Sequence, residues 1–326
     1  MSNLNSLPDL SVVIPAYNGG QAMVGVVDEL AIILPSITRN FEIIIVDDCS
    51  HDNSWALAKQ LVQKHVSVHA IRFMRNVGQQ NATLCGLRES QYDLVLTMDD
   101  DGQNPPSEIP KMLEKINKGF DLVYGVYDRR YHSIARKFLS QIFFFFLLKI
   151  IEDEMSFKLN KLTSFRILRR RTLEHITQNS SPDASVDVLL GWATNNVNQV
   201  TVEHRARPYG SSNYALRDLF RFATSVITNY STIPLKFISV LAASGSILSF
   251  FIAATVIAIR LLSGQEVPGF AFLATIIAFF FSLHFLIMAV LGNYISRIYL
   301  MNMGKPQYLI DERCKHSDAK TIKISD

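Results

Sequence analysis

The first 125 residues alternate short apolar runs with longer amphipathic segments. The apolar runs predict strands at residues 10–14, 41–46, 68–73, 92–98 and 122–124. The amphipathic segments predict helices at residues 20–33, 53–65, 81–89 and 107–118. This alternation predicts an α/β fold, in which a mostly parallel sheet carries helices on both faces. The run FEIIIV at residues 41–46 is nearly continuous in apolar side chains, as expected of a strand buried on both faces.

Two later segments, residues 237–259 and 267–296, contain no Asp, Glu, Lys or Arg. A helix needs about 20 apolar residues to cross roughly 30 Å of hydrocarbon. Both segments are long enough, so we predict two C-terminal transmembrane helices. The alternative is a pair of buried helices in a soluble core, where uncharged runs of this length are uncommon.

Basic residues are unevenly distributed around this predicted hairpin. Near the connection SGQE at residues 263–266, the nearby base is Arg260. The other side carries seven bases, namely Arg217, Arg221, Lys236, Arg297, Lys305, Arg313 and Lys315. The positive-inside rule therefore places that side, and both termini, in the cytoplasm. We expect a multi-pass protein of the cell inner (plasma) membrane, with the lipid bilayer as a partner.

The segment before the hairpin predicts helices that lie in the membrane surface. The run FFFFLL at residues 143–148 is flanked by Arg136, Lys137 and Lys149, and it is too short to span a bilayer comfortably. An interfacial amphipathic helix at residues 134–151 fits this pattern, with an ordinary core helix as the alternative. Residues 214–231 predict a second helix of this kind.

Composition narrows the class of partner. Hydrophobic residues make up 48% of the chain and charged residues 19%, below the usual charged fraction of about 25%. The net charge of +3 is too mild to indicate nucleic-acid binding. The three cysteines show no CxxC spacing, so they indicate neither a zinc site nor a disulfide framework.

Acidic residues follow two of the predicted strands. Asp47 and Asp48 end one strand, and Asp99, Asp100 and Asp101 end another. Ligands of open parallel sheets bind beyond the carboxyl ends of the strands. Adjacent carboxylates repel one another, and Mg²⁺ or Mn²⁺ can supply the missing counter-charge while stabilising a diphosphate leaving group. The alternative is a solvated acidic turn. The presence of two acidic clusters at neighbouring strand ends favours the metal site over this alternative.

Four ordered segments give a more specific indication: SVVIPAYN at 11–18, VDDCSHD at 46–52, NVGQ at 76–79 and MDDDGQNPP at 98–106. They resemble the motifs of family 2 glycosyltransferases, which have the GT-A (Rossmann-like) fold. Within that family the whole chain most resembles dolichyl- and undecaprenyl-phosphate glycosyltransferases. The resemblance implies inverting, metal-dependent transfer of a sugar from a UDP- or GDP-sugar to polyprenyl phosphate. It places this reaction at the cytoplasmic membrane face, in cell-envelope glycan assembly or modification.

The resemblance also implies residue roles. The nucleotide-sugar donor would be bound by Pro15, Ala16, Tyr17, Asn18, Asp47, Asp48, Gln79 and Asp100. The dication, Mg²⁺ or Mn²⁺, would be bound by Asp99, Asp101 and Gln103. The acceptor phosphate would be bound by Arg129, Arg136, Ser140 and Arg207. Asp99, Asp101 and Arg207 would be the catalytic residues. An alternative for the arginines is binding to anionic lipid head groups.

Two positions depart from the family pattern. Asn213 stands where R-x-x-G-x-S-K-Y has lysine, and KLTSFR at residues 161–166 has no acid where relatives have D-x-G-D-F-R. No general base is therefore predicted there. A phosphate monoester has a second pKa near 6, so the acceptor is already an anionic nucleophile at neutral pH. The protein would then act by positioning and charge neutralisation.

The predicted organisation has four parts: a GT-A core at residues 1–125, an acceptor-side region at 126–232, two transmembrane helices at 233–298 and a cytoplasmic tail at 299–326. Two other functions stay open. One is a non-enzymatic membrane scaffold with a decayed transferase domain. The other is a polysaccharide synthase, although neither Trp55 nor Trp192 lies in the Q-x-x-R-W motif of that class. Homo-oligomerisation is also left open.

Overall fold

The computed structural model describes residues 7–127, 163–177, 185–205, 233–263, 269–304 and 306–316. The chain forms two compact units, one of residues 1–216 with 306–326 and one of residues 217–305. The predicted interfacial helix at 134–151 and its partner at 214–231 lie outside the described residues. The same is true of the hairpin connection at residues 264–268.

The first unit contains all the strands of the described chain. These are β1 (Leu10–Ala16), β2 (Phe41–Asp47), β3 (Val68–Phe73), β4 (Leu94–Thr97), β5 (Leu122–Tyr127), β6 (Arg166–Arg169), β7 (Val197–Val202) and β8 (Ile310–Cys314). Its helices are α1 (Gly20–Ile37), α2 (Ser54–Lys64), α3 (Gln79–Glu89), α4 (Ile109–Ile116), α5 (Arg170–Thr177) and α6 (Val186–Ala193). A short 3₁₀ turn, Pro106–Glu108, precedes α4.

The strands form one eight-stranded sheet in the order β7-β5-β6-β4-β1-β2-β3-β8. Strand β1 runs parallel to both β2 and β4, β2 runs parallel to β3, and β5 runs parallel to β7. Strands β6 and β8 are antiparallel to their neighbours. The mostly parallel sheet predicted from the sequence is therefore confirmed. Because Ala16 pairs with Asp47, the carboxyl ends of β1 and β2 lie side by side.

Alternate residues of the central strand pack against different helix layers. Val12 and Ile14 belong to the core formed with α1, α2 and α4. Val13 points to the opposite face and packs with α3, α5 and α6. Each such side chain contributes about 1.5–3 kcal/mol when fully buried. Helix α3 lies directly on β1 at Gly86, where a Cβ atom would come within 2.2 Å of Val13 Cγ1.

Two helical windows in the described residues are long and apolar enough to cross a membrane, Gly20–Ile37 and Phe279–Ser296. The first is α1, whose apolar stripe, including Met23, Val27 and Leu30, is fully buried in the core of the first unit. That helix is therefore a core helix of the α/β unit. The second window lies in the second unit and is not buried.

The second unit contains two long helices, α7 (Ile233–Ser263) and α8 (Phe270–Asn302). They pack together where Gly245 of α7 faces Leu283 of α8, and a Cβ atom on Gly245 would lie 3.3 Å from Leu283 Cδ2. Small residues allow close approach of apolar helices in this way. Large apolar side chains remain exposed on both helices, including Phe250 and Phe285. The two apolar C-terminal helices are confirmed, and their crossing of a membrane stays a prediction.

The sequence did not predict strands β6 and β7, helices α5 and α6, or strand β8. Strand β8 lies inside the segment expected to be a cytoplasmic tail. It pairs antiparallel with β3 at the edge of the sheet. Trp55 Nε1 donates a hydrogen bond of 2.9 Å to Glu312 Oε2, and the Tyr308 ring stacks on Phe73 with 4.8 Å between centroids. These contacts join the C-terminal segment to the first unit.

Candidate active site

A cavity of about 620 Å³ opens at the carboxyl ends of β1, β2 and β4. The loops after these strands and the start of α3 form its walls. The lining residues are Pro15, Ala16, Tyr17, Asn18, Gly19, Ala22, Asp48, Asn76, Gly78, Gln79, Ala82, Asp99, Asp100 and Asp101. The parallel sheet therefore brings together residues from segments that are distant in the sequence, at the edge where ligands of such sheets bind.

Hydrogen bonds connect the loop after β1 to the loop after β2. Asn18 has a positive φ of 54°, which asparagine tolerates better than most residues. Its backbone N–H donates to Ser50 Oγ at 2.9 Å, and its side-chain oxygen accepts the His51 N–H at 3.0 Å. Tyr17 is 46% exposed, and its ring makes an edge contact with His51. The wall nearest Tyr17 is thus a fixed surface that presents an aromatic ring.

Asp100 lies at the base of this wall in close contact with Gly19. A Cβ atom at position 19 would lie only 2.1 Å from Asp100 Oδ2, so any larger residue there would displace the Asp100 carboxylate or the backbone at position 19. Among the described residues, that buried oxygen has no hydrogen-bond partner. Burial, reinforced by the neighbouring charges of Asp99 and Asp101, raises the pKa of Asp100 to about 7. Tyr17 partly offsets this by donating its backbone N–H to the carboxylate.

Asp99 is held by two uncharged side chains. Gln79 Nε2 donates to Asp99 Oδ1 at 2.6 Å, and the Ser164 hydroxyl donates to Asp99 Oδ2. Burial raises the pKa of Asp99, and the nearby Asp101 charge raises it further. Asp101 Oδ1 accepts the backbone N–H of Gln103 at 3.0 Å. The turn that carries these acids is therefore ordered without a basic side chain lining the cavity.

Asp47 and Asp48 lie at the end of β2 in different surroundings. Asp48 accepts two backbone N–H groups, those of Val77 and Gly78, each at 2.8 Å. Asp47 accepts the Ser50 N–H at 3.3 Å and lies 3.4 Å from Arg72 Nε. Burial raises the pKa of both carboxyls. Asp47 is 1% exposed and lies behind the cavity wall.

The cavity therefore carries an excess of negative charge. Four carboxylates line it, from Asp48, Asp99, Asp100 and Asp101, and no lysine or arginine of the described chain does so. Within the described residues, no three His, Cys, Asp or Glu side chains converge as a metal site. Mg²⁺ commonly binds through one or two carboxylates together with substrate phosphates rather than in an all-protein cage. Asp99 and Asp101 fit a dication that is shared with a bound diphosphate.

The structure brings most of the predicted donor and metal residues to one place. Of the predicted set, Pro15, Ala16, Tyr17, Asn18, Asp48, Gln79, Asp99, Asp100 and Asp101 line the cavity. Asp47 and Gln103 are close in the fold but are not lining residues. The predicted acceptor-phosphate residues, namely Arg129, Arg136, Ser140 and Arg207, lie outside the described residues. Their roles stay predictions.

The sequence analysis missed two residues that shape the site. Gly19 contacts Asp100, and Ser164 holds Asp99 across a sequence separation of 65 residues. A signal for Ser164 was present, because KLTSFR places it where the family pattern has an acid. No local pattern indicated the role of Gly19, which depends on the distance between two loops.

Comparison with known proteins identifies the family of this chain. The profile of glycosyl transferase family 2 matches residues 11–177. A protein of Serratia proteamaculans is 30% identical over 316 residues, covering 96% of both chains. A protein of Yersinia pestis is 30% identical over 315 residues, covering 96% of this chain and 95% of its own. Both are undecaprenyl-phosphate 4-deoxy-4-formamido-L-arabinose transferases.

Solved structures confirm the fold. Glucosyl-3-phosphoglycerate synthase from Mycobacterium tuberculosis, in complex with phosphoglyceric acid, superposes with a TM-score of 0.52 at 20% identity. The match covers 69% of this chain and 79% of that chain. A complex of the same enzyme with Mn²⁺ and UDP-glucose gives a TM-score of 0.51 at 20% identity, covering 69% and 78%. At this identity the likeness establishes the fold alone.

The fold, the acid-lined cavity and the family profile together place this chain in glycosyl transferase family 2, and it is a glycosyltransferase. The resemblance to polyprenyl-phosphate glycosyltransferases, predicted from its four motifs, is confirmed by relatives that match over 96% of the chain.

Proposed function

We propose that this protein transfers a sugar from a UDP- or GDP-sugar to polyprenyl (undecaprenyl-type) phosphate, with Mg²⁺ or Mn²⁺ and with inversion. The observation that carries this proposal is the cavity lined by four carboxylates and, in the described chain, by no basic side chain. A dication bound beside these acids would offset the charge of both the carboxylates and the two phosphates of the donor. The product would serve cell-envelope glycan assembly or modification.

The donor would occupy the cavity along the loops after β1 and β2. Tyr17 and Asn18 present a ring and a backbone turn at one wall, and Gln79 lies beside Asp99 at another. Asp99 and Asp101 would hold the dication, with Gln103 as a third ligand, and the bound ion would stabilise the diphosphate leaving group. Asp48 acts on the cavity wall by fixing the turn at residues 77–78.

Asp47 would contribute differently from its neighbour. The contacts of this carboxylate, which accepts the Ser50 N–H and lies beside Arg72, support a role in ordering the loop after β2. Its predicted direct contact with the nucleoside remains part of the proposal. Such a contact would require the loop to present Asp47 to the cavity when the donor is bound.

The acceptor supplies its own nucleophile. A phosphate monoester is largely dianionic at neutral pH, so its oxygen can attack the anomeric carbon without a protein base. Direct attack by that oxygen inverts the configuration at the anomeric carbon. Arg129, Arg136, Ser140 and Arg207 would bind the acceptor phosphate, and a guanidinium can do so through two parallel hydrogen bonds. Ser164, which stands at an acid position of the family pattern, is consistent with a reaction that needs no base there.

The pairing of β8 with β3 supports the proposed membrane topology. Residues 306–316 and the N-terminal strands belong to one sheet and one compact unit. The chain between them must therefore leave and return on the same side of any membrane, which requires an even number of crossings. Two crossings by α7 and α8 meet this condition. With the positive-inside rule, this topology would put the sheet at the cytoplasmic face of the inner membrane.

The test uses the purified full-length protein with undecaprenyl phosphate, Mn²⁺ and a panel of UDP- and GDP-sugars. We expect one donor to give nucleotide release and a lipid-linked sugar, and EDTA to stop both. The variant Glu114→Ala is a suitable control, because this exposed acid of α4 pairs with Lys118, which lies just beyond the end of that helix. Absence of product with every donor would contradict the proposal, and it is the result that the non-enzymatic scaffold hypothesis predicts.

A further inference from the structure

Ser164 is held in a fixed position directly before β6. The antiparallel register pairs Thr97 with Arg166, and its continuation by two residues brings Asp99 opposite Ser164. The carbonyl of Ser164 accepts a hydrogen bond of 2.6 Å from Thr97 Oγ1. The next residue, Phe165, is fully buried, and its carbonyl accepts the Gly125 N–H at 2.9 Å. The main chain at Ser164 and at the following residue is thus anchored to the sheet.

The Ser164 hydroxyl and the Gln79 amide bind different oxygens of the Asp99 carboxylate. Gln79 donates to Oδ1 and Ser164 donates to Oδ2, so each oxygen receives one hydrogen bond from an uncharged group. A carboxylate oxygen has two lone-pair sites. Each oxygen of Asp99 therefore keeps a site for a further ligand, while the plane of the carboxylate is fixed by two different elements of the fold.

The charge at position 164 matters because three acids are already adjacent. The family pattern D-x-G-D-F-R would place a fourth carboxylate here, beside Asp99, Asp100 and Asp101. A hydroxyl donates a hydrogen bond where a carboxylate would repel. The buried guanidinium of Arg166, two residues away, is paired with Asp187. Tyr124 also donates its hydroxyl to Asp187. The serine thus orders Asp99 without adding charge to the cluster.

We propose that Ser164 is a positioning residue, whose hydroxyl orients Asp99 to bind the dication and replaces an acid of the family pattern. This inference rests on the proposed function for the presence of the dication. Groups that orient metal ligands typically change metal affinity or activity by 10- to 100-fold when they are removed. The serine neither accepts a proton from the acceptor nor contacts the reacting atoms.

The test measures Mn²⁺ affinity by the electron paramagnetic resonance signal of free Mn²⁺, with the full-length protein in the presence of UDP or GDP. We expect Ser164→Ala to weaken Mn²⁺ binding about tenfold and to raise the Mn²⁺ concentration needed for half-maximal turnover. Ser164→Thr keeps the hydroxyl and should bind Mn²⁺ nearly as the wild type does. Ser36→Ala is the matched control, because this exposed serine bonds only to Ile33 O in its own helix. Thermal unfolding of all four proteins separates misfolding from lost affinity.

Equal Mn²⁺ affinity in Ser164→Ala and the wild type would overturn the inference, whatever the change in stability. Failure of Ser164→Thr to retain affinity, in a folded protein, would also overturn it. A wild-type protein that binds Mn²⁺ and nucleotide but forms no lipid-linked sugar would overturn the proposed function alone. Absence of Mn²⁺ binding by the wild type with either nucleotide would overturn both.

Discussion

The two acidic clusters at the sheet edge look alike in the sequence but differ in the fold. Asp48 accepts two backbone N–H groups, and Asp47 accepts the Ser50 N–H and lies beside Arg72. In the second cluster, Asp99 is held by uncharged side chains. One buried oxygen of Asp100 has no hydrogen-bond partner in the described chain.

The first cluster therefore has mainly a structural role, whereas the second is suited to binding a ligand. The protein itself satisfies the first cluster, which in return orders the loops around the cavity. In the second cluster, three adjacent carboxylates repel one another, and the side chains that bind Asp99 carry no compensating positive charge. A buried charge without compensation is costly, and proteins tolerate such local conflicts mainly at functional sites. The missing charge must then come from what binds there.

The largest expected effect is on turnover, in the second cluster. Asp101→Ala should lower sugar transfer by more than about 100-fold, because even indirect partners of metal ligands cost 10- to 100-fold. Its thermal stability should be unchanged or higher, since one of three repelling charges is gone. Transfer assays and unfolding curves on the same preparation check both points. A variant that is stable and fully active would remove Asp101 from the proposed metal site.

The next effect concerns the contact between Gly19 and Asp100. Gly19→Ala places a Cβ atom 2.1 Å from Asp100 Oδ2, so the acid or the start of α1 must move. Misplacement by about 1 Å can cost 100-fold in rate, and we expect a turnover loss of that order. Gly25→Ala is the matched control, because its Cβ atom would meet nothing within 4 Å. It should keep full activity and gain up to about 1 kcal/mol of stability.

A third variant tests the structural role of the first cluster. Asp48→Ala leaves two partly buried backbone N–H groups, those of Val77 and Gly78, without their acceptor. Loss of these bonds should lower the free energy of unfolding by about 3 kcal/mol. Chemical denaturation of the purified protein measures this loss. Unchanged stability would show that Asp48 does not order this turn.

The smallest expected effect is a pH dependence of the metal-free protein. The pKa of Asp100 is raised to about 7 in the fold, against about 3.9 in an unfolded chain. The folded state therefore favours the protonated carboxyl. The stability contributed by the raised pKa of the Asp100 carboxyl is fully present below pH 4 and is lost as the pH rises through about 7.

Thermal unfolding in EDTA between pH 5 and pH 8 checks this dependence. Asp100→Asn cannot titrate, so the stability of the wild type relative to this variant should fall across that range. If the stability of the wild type relative to Asp100→Asn stays constant with pH, Asp100 is ionised over the whole range. The second cluster would then hold the Asp100 charge without a raised pKa, contrary to the difference described between the two clusters.

Much of the fold could be predicted because its elements have local signals. The parallel strands β1 to β4 and the helices between them follow apolar periodicity, and all were expected near their observed positions. Strand β8 could not be found in this way, since three of its five residues are charged, as is common at a sheet edge. Its position depends on contacts with Trp55 and Phe73, which lie more than 200 residues earlier in the chain.

In the candidate site too, residues with a local sequence signal were predictable, and residues placed by distant contacts were not. Acids that directly follow parallel strands were predictable, because the fold class alone brings those strand ends together. The sequence did not predict which of two adjacent acids faces the cavity, because adjacent side chains of a strand point to opposite sides. Asp47 and Asp48 illustrate this limit. The contact of Ser164 with Asp99 depends on the antiparallel pairing of β6 with β4. The apolar periodicity of the sequence did not predict that pairing.

The most direct test of the central claim is the location of Mn²⁺ by anomalous diffraction from crystals grown with Mn²⁺ and the nucleotide that binds. We expect an anomalous peak within bonding distance of carboxylate oxygens of Asp99 and Asp101, from an Mn²⁺ ion that also binds the diphosphate. A peak at Asp47 and Asp48 instead, or a bound diphosphate with no metal beside Asp99 and Asp101, would contradict this claim.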